Sequence, residues 1–177
     1  MRLFLAVELP DPLKQVLTGL GGADGVRWAR SEVLHLTLRF LGEVEPDLVP
    51  DLIAALRPIL ASHPPLDLVL EGGGAFPRRG RPRVLWVGVG GQVGALRALV
   101  ADTEAALADL GFETERRPYS PHITLGRVKR GRPRELVERL ESLGRLGDFR
   151  ATEVVLFESH LRPSGAQHLP LERFSLG

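Results

Sequence analysis

Cysteine is absent from the 177 residues, which excludes disulfides, thiolate zinc sites and a cysteine nucleophile. A chain without it suits a reducing compartment, and a cytoplasmic protein is expected. No apolar run approaches the roughly 18 residues that a membrane-spanning helix needs. The opening Met1–Val7 stretch is apolar, but Glu8 and Pro10 end it too early for the core of a signal peptide. Excess charge is missing as well: 23 basic residues against 22 acidic ones leave a formal charge of +1. Such a molecule is no general polyanion binder, so affinity for nucleic acid would have to come from a local patch. Lysine is nearly missing, since only Lys14 and Lys129 interrupt the arginines. Arginine forks suit phosphate geometry, and a GC-rich coding sequence explains the bias equally well. There is no His-Glu-x-x-His, and Glu43, on an expected loop, is the one carboxylate near a candidate histidine. The Gly72-Gly73-Gly74 and Gly88–Gly91 runs are too generic to mark nucleotide cradles. Neither a metal nor another cofactor is expected.

Apolar residues make up 44% of the chain, enough for one compact domain or two small lobes sharing a core. Arg2–Leu9 reads as a strand. A helix follows from Asp11 to about Leu20, with Asp11 as N-cap and Pro12 at the first helical position. Val26–Trp28 is a short strand and Pro46–Ala61 a helix. Leu66–Leu70 and Arg83–Val89 read as strands around a flexible loop from Gly72 to Pro82. Val93–Leu110 carries an apolar stripe at helical spacing and stops at Gly111. A helix over Pro133–Leu143 and strands near Thr152–Leu161 and His168–Leu176 complete the chain.

Two segments repeat one pattern. Leu34–Leu41 alternates, with Leu34, Leu36, Leu38 and Phe40 on one face and His35, Thr37, Arg39 and Leu41 on the other. In His122–Arg127, His122, Thr124 and Gly126 share a face. Each segment is a His-x-Thr-Leu, and strand–helix–strand order recurs around both. The pattern describes a duplicated α+β unit whose halves face each other across a cleft, with the two histidines brought together. Residues i and i+2 of a strand lie about 7 Å apart on one face, so His and Thr can reach one phosphate together. Two such pairs supply an acid and a base on opposite sides of one phosphorus, which phosphoryl transfer requires. Arg127 points away from that face in a regular strand, and reaches it only if the strand ends or bulges at Gly126.

With these segments in place, the chain resembles the 2H phosphoesterase superfamily, and within it the RNA 2′,3′-cyclic phosphodiesterases, also called 2′-5′ RNA ligases. The resemblance rests on Arg2–Val7, Trp28, His35–Gly42, Pro82–Gly88, Pro121–Arg127, Leu156–Ser159 and Gly165. It implies an α+β, bilobal fold of two antiparallel sheets facing across a central cleft, with helices packed outside. The 177 residues would form one domain of two pseudo-symmetric lobes, one with the motif at 35–38 and the other with that at 122–125. It implies metal-independent opening of a terminal ribose 2′,3′-cyclic phosphate to a 2′-phosphate, alongside 2′-5′ joining of RNA halves. His35 and His122 are then the catalytic pair, His35 as general acid to the 3′ oxygen and His122 as general base on water. Thr37, Thr124 and Arg127 hold the phosphate and Phe40 borders the base. The expected partners are RNA ends with a 2′,3′-cyclic phosphate and nucleotides, with no membrane, and a monomer is expected because no exposed apolar heptad or interface segment appears. The family often has a tyrosine where this chain has His168, which makes His168 a candidate substitute.

Other readings stand beside this one. Each histidine taken singly is an ordinary strand residue, and threonine favours strands unaided. Phe4, Trp28 and Trp86 suit a core better than a base platform. The Arg78–Arg83 run and Arg116-Arg117 are candidate RNA contacts that solvated loops explain as well. His63 and His160 carry no expected role. A small cyclic nucleotide could replace RNA as substrate, and a module binding RNA ends or cyclic nucleotides without turnover is the non-enzyme alternative.

Overall fold

Short apolar segments alternate with amphipathic ones along the whole chain, and strands and helices follow that alternation. The computed structural model describes residues 1–177. In order they form β1 (Arg2–Glu8), α1 (Asp11–Gly19), β2 (Val26–Trp28), β3 (His35–Glu43), α2 (Val49–Ala61), β4 (Leu66–Phe76) and β5 (Val84–Gly91), then α3 (Val93–Asp109), β6 (His122–Val128), α4 (Arg134–Glu141), β7 (Arg145–Ala151), β8 (Glu153–Arg162) and β9 (Gly165–Ser175). The fold is α+β. Every strand pair is antiparallel, in the order β7-β4-β5-β6-β3-β1-β8-β9, with β2 added alongside β6.

The two motif strands, β3 and β6, are neighbours at the middle of this order. They are joined by a single residue pair, Leu36 against Ile123. On one side of that seam lie β6, β5, β4 and β7, and on the other β3, β1, β8 and β9. Chain order crosses the seam: β4 follows α2 but pairs with β5 and β7, while β8 pairs with β1.

The two faces of the curled sheet differ in what covers them. Leu3, Leu5, Leu36, Leu38, Ile123 and Leu125 bury themselves against leucines of the four helices, in a core of 35 buried residues. Leu52, Leu56 and Leu60 of α2 and Leu96, Leu99 and Leu107 of α3 belong to it, at the spacing that gives a helix one apolar stripe. Each fully buried leucine contributes about 1.5–3 kcal/mol. The opposite face carries only a small separate cluster of Phe4, Ala6, Val155 and Phe157. The helices therefore occupy one side of the sheet and leave the other to form a cleft.

Several elements differ from expectation for local reasons. Pro10, not Asp11, caps α1, because its carbonyl accepts the first helical bonds from Leu13 and Lys14. The Pro46–Ala61 helix opens with a 3-10 turn at Pro46–Leu48, since Pro50 has no N–H to offer the Pro46 carbonyl. Gly72–Phe76 is strand rather than loop. A Cβ on Gly73 would sit 2.8 Å from the Trp86 carbonyl oxygen and 2.9 Å from that of Leu140, so glycine lets β4 slide between β5 and α4. β7 was not foreseen, because only Phe149 and Ala151 of its seven residues are buried and no alternation reveals it. No helix is long and apolar enough to cross a membrane.

Candidate functional site

In each motif the fourth residue, leucine, is the extra residue of a β-bulge. Against β1, Leu5 pairs with Arg39 and Ala6 with Thr37, leaving Leu38 unmatched. Against β5, Leu85 pairs with Gly126 and Trp86 with Thr124, leaving Leu125 unmatched. An extra residue reverses the alternation beyond it. Arg39, expected on the same face as His35, consequently turns to the helix side and pairs with Glu104 of α3. Phe40, whose alternation placed it among the apolar residues, turns into the cleft and is 62% exposed. Its ring centroid is 5.9 Å from that of Phe4. Leu41 goes the other way, into the core. The same shift in β6 swings Arg127 onto the face that holds Thr124. Phe40 and Arg127 occupy equivalent positions, five residues after their motif histidines.

Across the seam, the Leu36–Ile123 pair fixes an antiparallel register. One residue further in either direction sets His35 against Thr124 and Thr37 against His122. Each histidine thus has a threonine from its own strand and one from its partner strand. His35 Nε2 is 3.0 Å from Thr37 Oγ1. The ring leans on Phe4, with centroids 4.9 Å apart, and on His168, at 5.2 Å. Burial, and then the neighbouring His168, push the His35 pKa down to about 4, while a backbone hydrogen bond to Val33 opposes the shift. At neutral pH this ring carries no positive charge.

His122 is held differently. Its Nδ1 donates to the Ser120 carbonyl at 2.8 Å, a bond only a protonated Nδ1 can make, so Nε2 is left for a ligand. Its ring meets Phe76 edge-on at 5.2 Å, and Phe76 stacks on Trp86 at 5.0 Å. Tyr119, just upstream, is half-buried and donates its hydroxyl to the Thr37 carbonyl at 2.9 Å. The approach to one motif thereby clamps the backbone of the other. Burial pushes the Tyr119 phenol above its ordinary range and keeps it neutral.

A cavity of about 570 Å³ opens beside the seam. His35, Thr37, Phe40, Thr124, Arg127 and His168 line it, whereas His122 stands outside the lining, over Phe76 and Trp86. Arg2, Arg27, Arg30 and Lys129 add four more cations to the wall, and no carboxylate faces it. In such a wall an anion meets only attraction.

Comparison with known proteins shows the family. The family model of the 2′-5′ RNA ligase superfamily matches residues 9–163. The chain belongs to the 2′-5′ RNA ligase superfamily. It is 35% identical to the RNA 2′,3′-cyclic phosphodiesterase of Archaeoglobus fulgidus, over 98% of this chain and 99% of that one. The protein of the same name from Thermus thermophilus is 35% identical over 99% of this chain and 90% of its own. Among solved structures, E. coli LigT complexed with 3′-AMP superposes with a TM-score of 0.81 at 27% identity, covering 99% of this chain and 97% of LigT.

Within this superfamily member the structure gathers some sequence candidates and disperses others. His35, Thr37, Phe40, Thr124 and Arg127 meet at one cavity, with His122 across the seam. Arg117 pairs with Glu115, and Arg81 donates to the Lys129 carbonyl. Glu43 pairs with the N-terminal ammonium, His63 with Asp102 and His160 with Glu158. Arg2, Arg27, Arg30 and Tyr119 were not singled out. Val26–Trp28 was recognised as a strand, but only its pairing with β6 carries Arg27 to the cavity. Tyr119 carried one usable signal, being the chain's only tyrosine, two residues from Pro121-His122.

Proposed function

We propose that the protein hydrolyses the 2′,3′-cyclic phosphate at an RNA end to a 2′-phosphate, with His35 and His122 moving the protons and no metal taking part. The observation that carries this reading is the meeting of both His-x-Thr-Leu strands at one seam, beside a cavity walled by cations. The 177 residues act as one domain whose two lobes each contribute one motif. Curated relatives named RNA 2′,3′-cyclic phosphodiesterase support the substrate.

In this scheme the cyclic phosphate lies between the two histidines, its non-bridging oxygens held by the hydroxyls of Thr37 and Thr124 and by Arg127. A water oxygen bonds to phosphorus while the bond to O3′ breaks, and O3′ leaves with the electron pair. One imidazole takes the proton from water and the other gives one to O3′. A ring held at about 4 is unprotonated at neutral pH, so His35 suits the base. His122, with Nδ1–H fixed on Ser120 and Nε2 turned to the ligand side, is assigned the delivery of the proton to O3′ in this scheme. This exchanges the roles expected from the resemblance. A 5′-hydroxyl in place of water would give a 2′-5′ linkage through the same two groups.

Phe40 offers its exposed ring to the base of the terminal nucleotide. Arg2, Arg27, Arg30 and Lys129 extend the positive wall beyond what one phosphate needs, which favours an RNA chain over a single cyclic nucleotide. The test is turnover of cyclic-phosphate RNA by folded His35→Ala and His122→Ala variants. Losses of about 10²–10⁴ in each are expected, and retained activity in both would overturn the scheme.

A further inference from the structure

His168 is used by none of the steps above, yet it lies at their centre. It stands on β9 opposite Ser159 of β8, and both residues line the cavity. Its ring centroid is 5.2 Å from that of His35, and it meets Phe4 edge-on at 4.8 Å. Nδ1 is buried and has no hydrogen-bond partner. No protein group bonds Nε2 either, so that nitrogen is the one the ring offers to the cavity.

Nδ1 is unpartnered in either neutral tautomer, but an orphaned buried N–H is tolerated less well than a bare acceptor, and a proton on Nε2 instead meets the cavity. An imidazolium would carry that unpaired N–H and a charge besides. Burial correspondingly lowers the His168 pKa below its ordinary value. The charged groups around the cavity are the cations of β1, β2, β6 and the segments that follow β2 and β6, and none of them stabilises a second positive charge. The ring therefore rests neutral, with its single proton on Nε2 and directed at the space where the phosphoryl group binds.

We propose that His168 is a third substrate-contacting imidazole, donating Nε2–H to a non-bridging phosphoryl oxygen beside His35. The inference rests on the reading of the cleft as the phosphate site. It gives β9 a direct part in binding, although neither His-x-Thr-Leu motif lies on that strand. A neutral donor suits this position better than a cation, because Nε2–H holds the phosphate while an imidazolium here would oppose protonation of His35, the effect by which a charged His168 lowers the His35 pKa.

The test combines ring NMR with two variants. In the wild-type spectrum the His168 ring should carry its proton on Nε2, and that signal should move as inorganic phosphate saturates the site. His168→Leu keeps the contact with Phe4 but removes the donor, and KM for cyclic-phosphate RNA should rise about tenfold or more. The Kd for phosphate should weaken in parallel, and His168→Gln, which restores an N–H, should recover much of both. A proton found on Nδ1, or Leu and Gln variants that match wild type in KM and phosphate binding, would overturn the proposal. If wild type binds phosphate through His168 but does not open the cyclic phosphate, the donor role stands and the hydrolytic reading fails.

Discussion

Leu36 of β3 and Ile123 of β6 face each other at the seam of the sheet, and each is the residue between the histidine and the threonine of its motif. Both are fully buried on the helix side. The pair that joins the two halves is therefore flanked by the four side chains to which the proposed reaction is assigned, His35, Thr37, His122 and Thr124.

Truncation at this pair should cost both stability and chemistry. Leu36→Ala is expected to lose about 2–5 kcal/mol, the range for a fully buried leucine. Ile123→Leu, which conserves volume, should lose under about 1.5 kcal/mol. Urea unfolding measures both, and kcat should fall further in Leu36→Ala than in Ile123→Leu.

The pH dependence follows from His35. Its pKa is about 4 in the fold against an ordinary 6.5. Between those values the folded protein binds fewer protons than the unfolded chain. The contribution of this group is complete above pH 6.5 and is lost as pH falls towards 4, a change of about 3 kcal/mol. His35→Gln should flatten that part of the stability profile, as denaturant titrations across the window would reveal. With His35 as base, the acid limb of kcat/KM lies near 4. A decline setting in well above that value as pH falls would assign the base elsewhere.

Two hydroxyls near the seam should separate chemistry from scaffolding. Thr37→Val removes the group 3.0 Å from His35 Nε2 and preserves shape. It should lower kcat/KM about 10–100-fold, as for a lost bond to a charged ligand, with little change in Tm. Tyr119→Phe strips the bond to the half-buried Thr37 carbonyl. A loss of about 1–3 kcal/mol in stability is expected there, with a smaller effect on rate.

Phe40→Ala tests the bulge. Because the ring is 62% exposed, its removal should cost little stability. Loss of base stacking, about 1–3 kcal/mol, should instead raise KM about tenfold. Equal KM values for the variant and wild type would show that the exposed ring has no base to hold.

Most of this site was legible in the sequence because strand alternation is local. His35 with Thr37, and His122 with Thr124, share faces for the reason that any i, i+2 pair does. The faces of Phe40 and Arg39 were not legible, since a bulge depends on the partner strand: nothing in His35–Gly42 alone says that Leu38 goes unmatched against β1. Gly72–Phe76 looked like a loop because glycine density signals flexibility, whereas Gly73 serves close packing against Trp86 and Leu140. Arg27 reaches the cavity only through the pairing of β2 with β6, and His168, on the β8–β9 hairpin, only through the pairing of β8 with β1; both join segments far apart in the chain.

The most direct test of the account is product analysis on a short RNA ending in a 2′,3′-cyclic phosphate, incubated with the wild-type protein in EDTA. The account predicts a 2′-phosphate product, formed at an undiminished rate without divalent metal. A 3′-phosphate product, a requirement for added metal, or no product from well-folded protein would contradict it.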